Sequence, residues 1–135
     1  MRSPMLFTIP LVALLTLVAP GHTGMPPSLP ELNEIAPETI AASATNCDIS
    51  GTSWCSYPVS ALLRCKKNGT YVGLTFNSVT SDWPHSYHLD KTWNVNLVPL
   101  TLQSGDTLVW EFCSTPLAGP NMGQTVTTSR TTQVQ

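Results

Sequence analysis

A turn dipeptide between two alternating segments constrains the fold of this sequence more than any other feature. Asn68-Gly69 is the pair that a two-residue type I′ turn favours, because both central residues need a positive φ angle. Such a loop places Lys67 opposite Thr70, and alternation then builds one apolar face along both arms. The pairs expected on that face are Cys65 with Val72, Leu63 with Leu74 and Ala61 with Phe76. The sequence therefore predicts a β-hairpin that directs Cys65 into a core.

Two later segments also alternate with the period of a β-strand. One apolar face is expected from Trp93, Val95 and Leu97, and a second from Leu108, Trp110 and Phe112. Val98-Pro99 interrupts the first pattern with a bulge or bend, and the residues over 103–106 are typical of a turn. These patterns predict an all-β domain, namely a small antiparallel β-sandwich or barrel of about four to six strands.

The N-terminus has the pattern of a secretory signal peptide. Arg2 precedes an apolar run over residues 6–19, which is shorter than the ~20 apolar residues that cross a bilayer. Pro20-Gly21 closes the run with helix breakers, and small residues precede His22. We therefore expect residues 1–21 to be a signal peptide cleaved before His22, and the protein to be secreted and extracellular with no membrane span afterwards.

Composition divides the remaining chain into three parts. Residues 22–45 contain four prolines and three glutamates but no aromatic residue, which predicts a disordered leader or propeptide. Residues 119–135 are rich in Thr and Gln and are expected to be a disordered tail. All four cysteines and all four tryptophans lie between these parts, so residues 46–118 are the predicted domain.

The cysteines are expected to form disulfides. A domain of about 70 residues buries little surface on folding, and an oxidising compartment favours covalent cross-links. No Cys-x-x-Cys spacing occurs, so a zinc site is not predicted. Cys47, Cys55, Cys65 and Cys113 therefore predict two disulfides with three possible connectivities. Because Cys113 is out of phase with its strand's core face, a bond from Cys113 to the Cys47–Cys55 segment is preferred.

The turn dipeptide also lies in an N-glycosylation sequon. Asn68-Gly69-Thr70 has the Asn-x-Thr pattern, and a hairpin tip is an exposed position where a glycan can be attached. The alternative is that Asn68 serves the turn alone. We expect Asn68 to be glycosylated if the source is a eukaryote.

The candidate functional residues are aromatic and histidine side chains in or near loops. Residues 81–90 gather both histidines of the domain with two carboxylates and two aromatic rings. Exposed rings stack on sugar faces or anchor protein interfaces, and neighbouring polar groups bond hydroxyls. The predicted ligand-binding residues are Trp54, Tyr57, Trp83, His85, Tyr87 and His88.

Catalytic readings of the same residues are weaker alternatives. His85 and His88 with Asp82 or Asp90 would supply metal ligands, but a solvated loop has the same composition. Cleavage before His22 would add an amino-terminal histidine, an arrangement similar to the copper site of secreted polysaccharide monooxygenases. No Gly-x-Ser-x-Gly elbow is present for a serine nucleophile. We therefore predict no catalytic residue, metal or cofactor.

Charge narrows the class of partner. The chain has a formal net charge of −2 with only 10% charged residues, which argues against nucleic acid as a partner. The sequence favours a small secreted, non-enzymatic binding protein that acts on an extracellular protein surface. A carbohydrate-binding module using loop aromatics is the first alternative, with a polysaccharide as partner, and a small secreted metal-dependent enzyme is the second.

Overall fold

Two β-sheets pack face to face around one core in a computed structural model that describes residues 25–79 and 88–135, with 74–79 described by their backbone alone. The strands, in chain order, are β1 Glu31–Ile35, β2 Thr39–Ile40, β3 Asn46–Trp54, β4 Val59–Lys67, β5 Thr70–Val79, β6 His88–Asn96, β7 Thr107–Pro116 and β8 Val126–Val134. A single turn of 3-10 helix, Val98–Leu100, connects β6 to β7.

The strand order confirms an all-β, mostly antiparallel sandwich. One sheet has three strands in the order β1-β3-β6, and the other has five in the order β2-β8-β7-β4-β5. Every described pairing is antiparallel except that of β2 with β8, which is parallel. The number of strands exceeds the expected four to six because segments outside the predicted domain contribute β1, β2 and β8.

The expectation of a disordered leader and tail differs from this structure. β1 pairs along its whole length with β3, and β8 pairs with β7 over eight register positions from Val126 to Gln133. Val134 is buried, and Ile40 packs against the core. The prediction of disorder considered only the composition of each segment. In the structure, neighbouring strands supply the hydrogen-bond partners of these segments and cover their few apolar side chains. The predicted signal peptide lies outside the described residues.

The predicted hairpin is confirmed at its turn, but the predicted pairing of its strands is wrong further from the turn. Asn68 and Gly69 have φ angles of 49° and 88°, and Lys67 pairs with Thr70. Leu63, however, lies opposite Phe76 rather than Leu74, because β5 has a bulge of two extra residues opposite Arg64–Lys66. An offset of two residues does not exchange the faces of the hairpin, so the β4 side chains stay where alternation placed them. Leu63 and Cys65 are accordingly buried, as predicted.

The two later strands place their apolar faces in the core as predicted. The buried residues include Trp93, Val95, Leu97, Leu108, Trp110 and Phe112. The indole nitrogen of Trp110 donates a hydrogen bond to Thr132 Oγ1 at 3.1 Å, so this buried ring is satisfied by the tail strand β8. Val98 and Pro99 lie in the 3-10 helix, which is the interruption expected there.

The expected disulfides are absent from this structure. All four cysteines are buried free thiols, and no two of them lie at disulfide distance. Cys47 on β3 and Cys65 on β4 enter the core from opposite sheets. Cys113 lies elsewhere: it pairs with Leu62 in register and accepts a hydrogen bond from Thr127 Oγ1 at 3.4 Å.

No helix in the described part of the chain is long and apolar enough to cross a membrane.

Candidate functional site at the loop end

Three described segments without regular structure meet at one end of the sandwich, which we call the loop end. They are residues 25–30 before β1, residues 55–58 between β3 and β4, and residues 117–125 between β7 and β8. The register brings them together, because Trp54 pairs with both Glu31 and His88, and Val59 pairs with Pro116.

Hydrogen bonds fasten these three segments to one another. The backbone N–H of Ser56 donates to the Pro27 carbonyl at 2.7 Å, and the Leu117 N–H donates to the Pro58 carbonyl at 2.8 Å. The Asn121 side-chain amide donates to Ser28 Oγ at 2.7 Å. The loop end is therefore ordered before any partner arrives.

Tyr57 is held against the β7–β8 loop at Gly119. Gly119 has a φ angle of +85°, and a Cβ added there would overlap the Tyr57 ring. Only glycine tolerates both this φ angle and this close approach. The Tyr57 side chain is consequently half-buried beneath the loop.

Large apolar side chains are exposed at the loop end. Met25 is 88% exposed, Met122 65%, Leu117 45% and Leu29 37%. The three segments contain no Asp, Glu, Lys or Arg. An uncharged surface with several exposed apolar side chains is typical of a protein interaction site rather than of a freely solvated loop.

The structure brings together two of the predicted ligand-binding residues. Trp54 and His88 are cross-strand partners on β3 and β6, and their rings stack with centroids 5.9 Å apart and planes 23° apart. Trp54 is buried, so its ring offers little surface to a sugar, whereas His88 is exposed.

The remaining predicted residues divide between the loop end and the undescribed stretch. Tyr57 belongs to the loop end. Trp83, His85 and Tyr87 lie outside the described residues, as do Asp82 and His22. The strands on either side of that stretch, β5 and β6, end and begin at the loop end. Among the described residues, no group of three or more His, Cys, Asp or Glu side chains could hold a metal ion.

A second set of polar side chains lies on the outer face of the five-stranded sheet, and we call it the Tyr71 cluster. Tyr71 Oη donates to Glu111 Oε1 at 2.7 Å, and Arg64 Nε donates to the same oxygen at 2.6 Å. Lys66 Nζ lies 3.5 Å from Glu111 Oε2. Sequence alternation placed Tyr71 on the polar hairpin face, but Glu111 comes from β7, and only the sheet order brings it there.

The cluster sets the charge state of its own members. The hydrogen bond to Glu111 raises the pKa of Tyr71. Burial raises the pKa of Glu111, but the hydrogen bonds from Tyr71 and Arg64 outweigh it and hold that pKa below its ordinary value. Glu111 is therefore an ionised acceptor for its three neighbours at neutral pH.

A buried carboxylate on β1 was not anticipated from the sequence. Glu34 is only 1% exposed, with Oε1 accepting a hydrogen bond from Thr128 Oγ1 at 3.1 Å. Its Oε2 has no hydrogen-bond partner among the described residues. Burial raises its pKa to about 7, against the opposing effects of Thr128 and Arg130. Glu34 lies in the segment expected to be disordered, so no sequence signal marked it as buried.

A cavity of about 420 Å³ lies at the opposite end of the sandwich. Its lining includes Val72, Gly73, Pro99 and Leu100, with Lys67 at its side. Lys67 Nζ donates to the carbonyls of Leu100 at 3.0 Å and Thr101 at 3.4 Å. The ammonium group is thereby engaged within the fold, which leaves the cavity predominantly apolar.

Comparisons with protein-family models, curated proteins and solved structures found no match for this chain.

Proposed function

We propose that this protein is a secreted, non-enzymatic recognition domain that binds an extracellular protein through its loop end. The observation that carries the proposal is the set of exposed apolar side chains there, at Met25, Leu29, Leu117 and Met122. Burial of such groups against a partner is the dominant favourable term in protein association. Secretion itself rests on the signal peptide expected over residues 1–21.

The order of the loop end supports this role. Each of its three segments is hydrogen-bonded to another, so little conformational entropy is lost when a partner binds. Methionine adds adaptability, because its unbranched thioether fits partner surfaces of different shape. The lack of charge predicts that the partner contributes apolar or neutral groups.

The strand order provides further support. A three-stranded sheet β1-β3-β6 facing a sheet in which β8, β7, β4 and β5 are adjacent resembles immunoglobulin-type sandwiches, where A, B and E face G, F, C and C′. In the variable-type members of that architecture, loops equivalent to 55–58 and 117–125 contact ligand. The likeness is one of topology, and it is consistent with recognition by loops on a rigid sandwich.

The proposal is tested by finding a partner and mapping where it binds. The secreted protein is linked into tetramers so that weak binding can be detected. The tetramers are applied to a panel of cells, each displaying a different extracellular domain, and the bound tetramer is measured. For a partner whose binding is saturable, the affinity should fall about tenfold or more when the protein carries Leu117→Ser or Met122→Ser. The matched control is Val98→Ser, since Val98 is 63% exposed but lies at the opposite end.

Equal weakening by Val98→Ser, or unchanged binding by both loop-end variants, would remove the loop end as the binding site. Melting temperatures of all three variants show whether each still folds. Saturable pull-down by chitin, cellulose or β-glucan that Trp83→Ala abolishes would replace the proposal with carbohydrate binding. The burial of Trp54 beneath His88 disfavours that alternative.

Glycosylation at Asn68 is part of the proposal. Asn68 Nδ2 donates to Asp106 Oδ1 at 2.9 Å, and an N-linked glycan replaces one of the two Nδ2 hydrogens while the other can keep this bond. The hairpin tip lies at the opposite end from the loop end, so a glycan there leaves the proposed binding site open. Thr70→Ala removes the sequon but keeps the Asn68 side chain, so the variant should lack the glycan mass found on the wild-type protein. A wild-type mass that shows no glycan would exclude the modification.

Disulfide formation in the secreted protein is also proposed, with Cys47 and Cys65 as the best-placed pair. Both thiols enter the core from facing sheets, and bond formation requires their strands to move closer. Burial raises the pKa of Cys47 to about 11, and burial together with Cys47 raises that of Cys65 to about 12. Once the chain is folded, these thiols are therefore weak nucleophiles. The bond would have to form during folding, by exchange with a disulfide of the oxidising secretory compartment that takes up the two electrons and two protons of the thiols.

Peptide mapping of the secreted protein without reductant tests this pairing. A cross-linked Cys47–Cys65 peptide is expected. Recovery of four free thiols, or of a cross-link to Cys113, would contradict it.

A further inference from the structure

We propose that the Tyr71 cluster is a second protein-binding surface, separate from the loop end, and that its partner presents an acidic side chain beside an apolar group. The four members, Arg64, Lys66, Tyr71 and Glu111, lie on the outer face of the five-stranded sheet near the β4–β5 turn. Tyr71 is immobilised there, the charge around it is positive, and the surface beside it is uncharged.

Tyr71 is exposed and held in place at the same time. Its ring is reached by two cations, with the Arg64 guanidinium carbon 4.9 Å and Lys66 Nζ 4.8 Å from the ring centroid. Its hydroxyl is anchored on Glu111, yet 49% of the residue remains exposed. A ring ordered in advance adds contact area to an interface at small entropic cost, and Tyr and Arg are the residue types enriched at interface hot spots.

The charge around the ring favours an acidic partner group. Two cations share one carboxylate, so the cluster carries a net positive charge on a protein whose net charge is −2. Among the described side chains, the only acceptor that Arg64 reaches is Glu111, through Nε. The two terminal amino groups of the guanidinium have no acceptor among the described side chains, and an Arg can hold a carboxylate with paired hydrogen bonds.

The surface beside the cluster permits close approach. Gly73, two residues after Tyr71 on β5, is exposed, and a Cβ placed there would meet no described atom within 4 Å. On the other side, Ser129 of β8 lies opposite Glu111 in register, and Thr131 lies opposite Val109. Small hydroxyl side chains on these positions leave a flat, uncharged strip. An apolar partner group can therefore lie against the Tyr71 ring while its acidic neighbour reaches Arg64.

A protein partner fits these observations better than a polyanion does. Only two cations are present, one carboxylate already lies between them, and the whole chain is acidic, so an extended sulfated polysaccharide would gain few contacts. A second copy of this chain fits less well, because it would bring another positive cluster to the same surface.

The test selects ligands without assuming a partner. A phage-displayed library of random linear peptides is selected on the full secreted chain, and enriched peptides are then measured on five variants, with Met122→Ser at the loop end among them. The expected peptides carry Asp or Glu next to an aromatic or aliphatic residue. Their affinity should fall about tenfold or more with Tyr71→Ala or Arg64→Gln, and by a smaller factor with Tyr71→Phe, which keeps the ring but loses its hydrogen bond to Glu111. The matched control is Lys91→Gln, which removes the same charge from the exposed β6 position on the other sheet.

The contrary outcomes are distinct. Peptides without acidic residues, no enriched peptide, or binding that survives Tyr71→Ala and Arg64→Gln would each overturn the proposal. Peptides lost with Met122→Ser but retained by the cluster variants would also overturn it, while supporting the loop end. Tighter binding of heparin than of any peptide would indicate a polyanion site instead, and melting temperatures confirm that each variant is folded.

Discussion

Glu34 makes the stability of the domain depend on pH. Burial raises its pKa from 4.5 to about 7, with Arg130 lowering and Glu111 raising it by their charges. Between these values the folded chain keeps a proton that the unfolded chain has released, so stability falls as pH rises from 4.5 to about 7. The difference in pKa corresponds to about 3 kcal/mol of unfolding free energy. The folded protein has this extra stability in full only below pH 4.5 and has lost it above about pH 7.

Replacing Glu34 with glutamine should remove this pH dependence. Glu34→Gln keeps the shape of the side chain but has no proton to lose, so the variant should be more stable than the wild type at pH 7.5 and similar to it at low pH. Urea unfolding across the pH range measures the effect. The control is Glu31→Gln, an exposed position on the same strand. Parallel wild-type and Glu34→Gln profiles would contradict the prediction.

Gly51 should not tolerate a larger side chain. It lies opposite Glu34 in register, and a Cβ there would lie 2.9 Å from the buried ring of Phe112. Because Phe112 is fully buried, the ring has little room to move, and Gly51→Ala should cost about 1 to 3 kcal/mol of unfolding free energy. Chemical denaturation measures it. Gly73→Ala is the control, since its position is open, and an equal loss there would contradict the steric explanation.

At the scale of the element, the β4–β5 turn also stabilises the turn before β7. Asn68 Nδ2 donates to Asp106, and Asn68 Oδ1 accepts the Thr107 N–H at 2.9 Å. Asn68→Asp keeps the acceptor and tolerates a positive φ angle but loses the donor and faces Asp106 with a like charge. We expect a loss of about 1 kcal/mol or more in unfolding free energy at neutral pH. Protein made without glycosylation is used, and no loss would show that the side chain serves the local turn alone.

The same hairpin shows which features of the fold the sequence pattern can predict. Turn chemistry predicted Asn68-Gly69 correctly, because the required φ angles depend on two residues alone. The pairing of Leu63 was wrong by two positions, because the bulge in β5 depends on packing that alternation does not encode. The core face of β4 was nevertheless predicted correctly, since Ala61, Leu63 and Cys65 are all buried.

Segments with little apolar content were harder to predict. β1 and β8 contain few core residues, and their order depends on hydrogen bonds to β3 and β7 rather than on their own composition. Only some residues of the candidate site could be identified from the sequence. Trp54, Tyr57 and His88 were identified by residue type, whereas Leu117 and Met122 lay in or beside the supposed tail and the Tyr71 cluster required the order of the sheet.

For the whole molecule, the two proposed surfaces should respond differently to salt. The described loop-end segments contain no charged side chain, so a partner bound there should keep its affinity as NaCl is raised. Acidic peptides bound at the Tyr71 cluster should weaken, because screening reduces the attraction to Arg64 and Lys66. Titrations of each ligand at low and high NaCl measure both. A steep salt dependence at the loop end would indicate that charged residues outside the described part contribute.

The direction of β8 determines how the molecule can be mounted on a surface. This strand begins at the loop end and finishes at the opposite end, where the Gln135 N–H donates to the Ile40 carbonyl at 2.8 Å. A biotin or linker attached after Gln135 therefore holds the molecule upright with its loops facing the solution. The same attachment placed ahead of Met25 begins within the proposed binding site. Sensor chips and display formats built on the first arrangement should report binding that the second one masks.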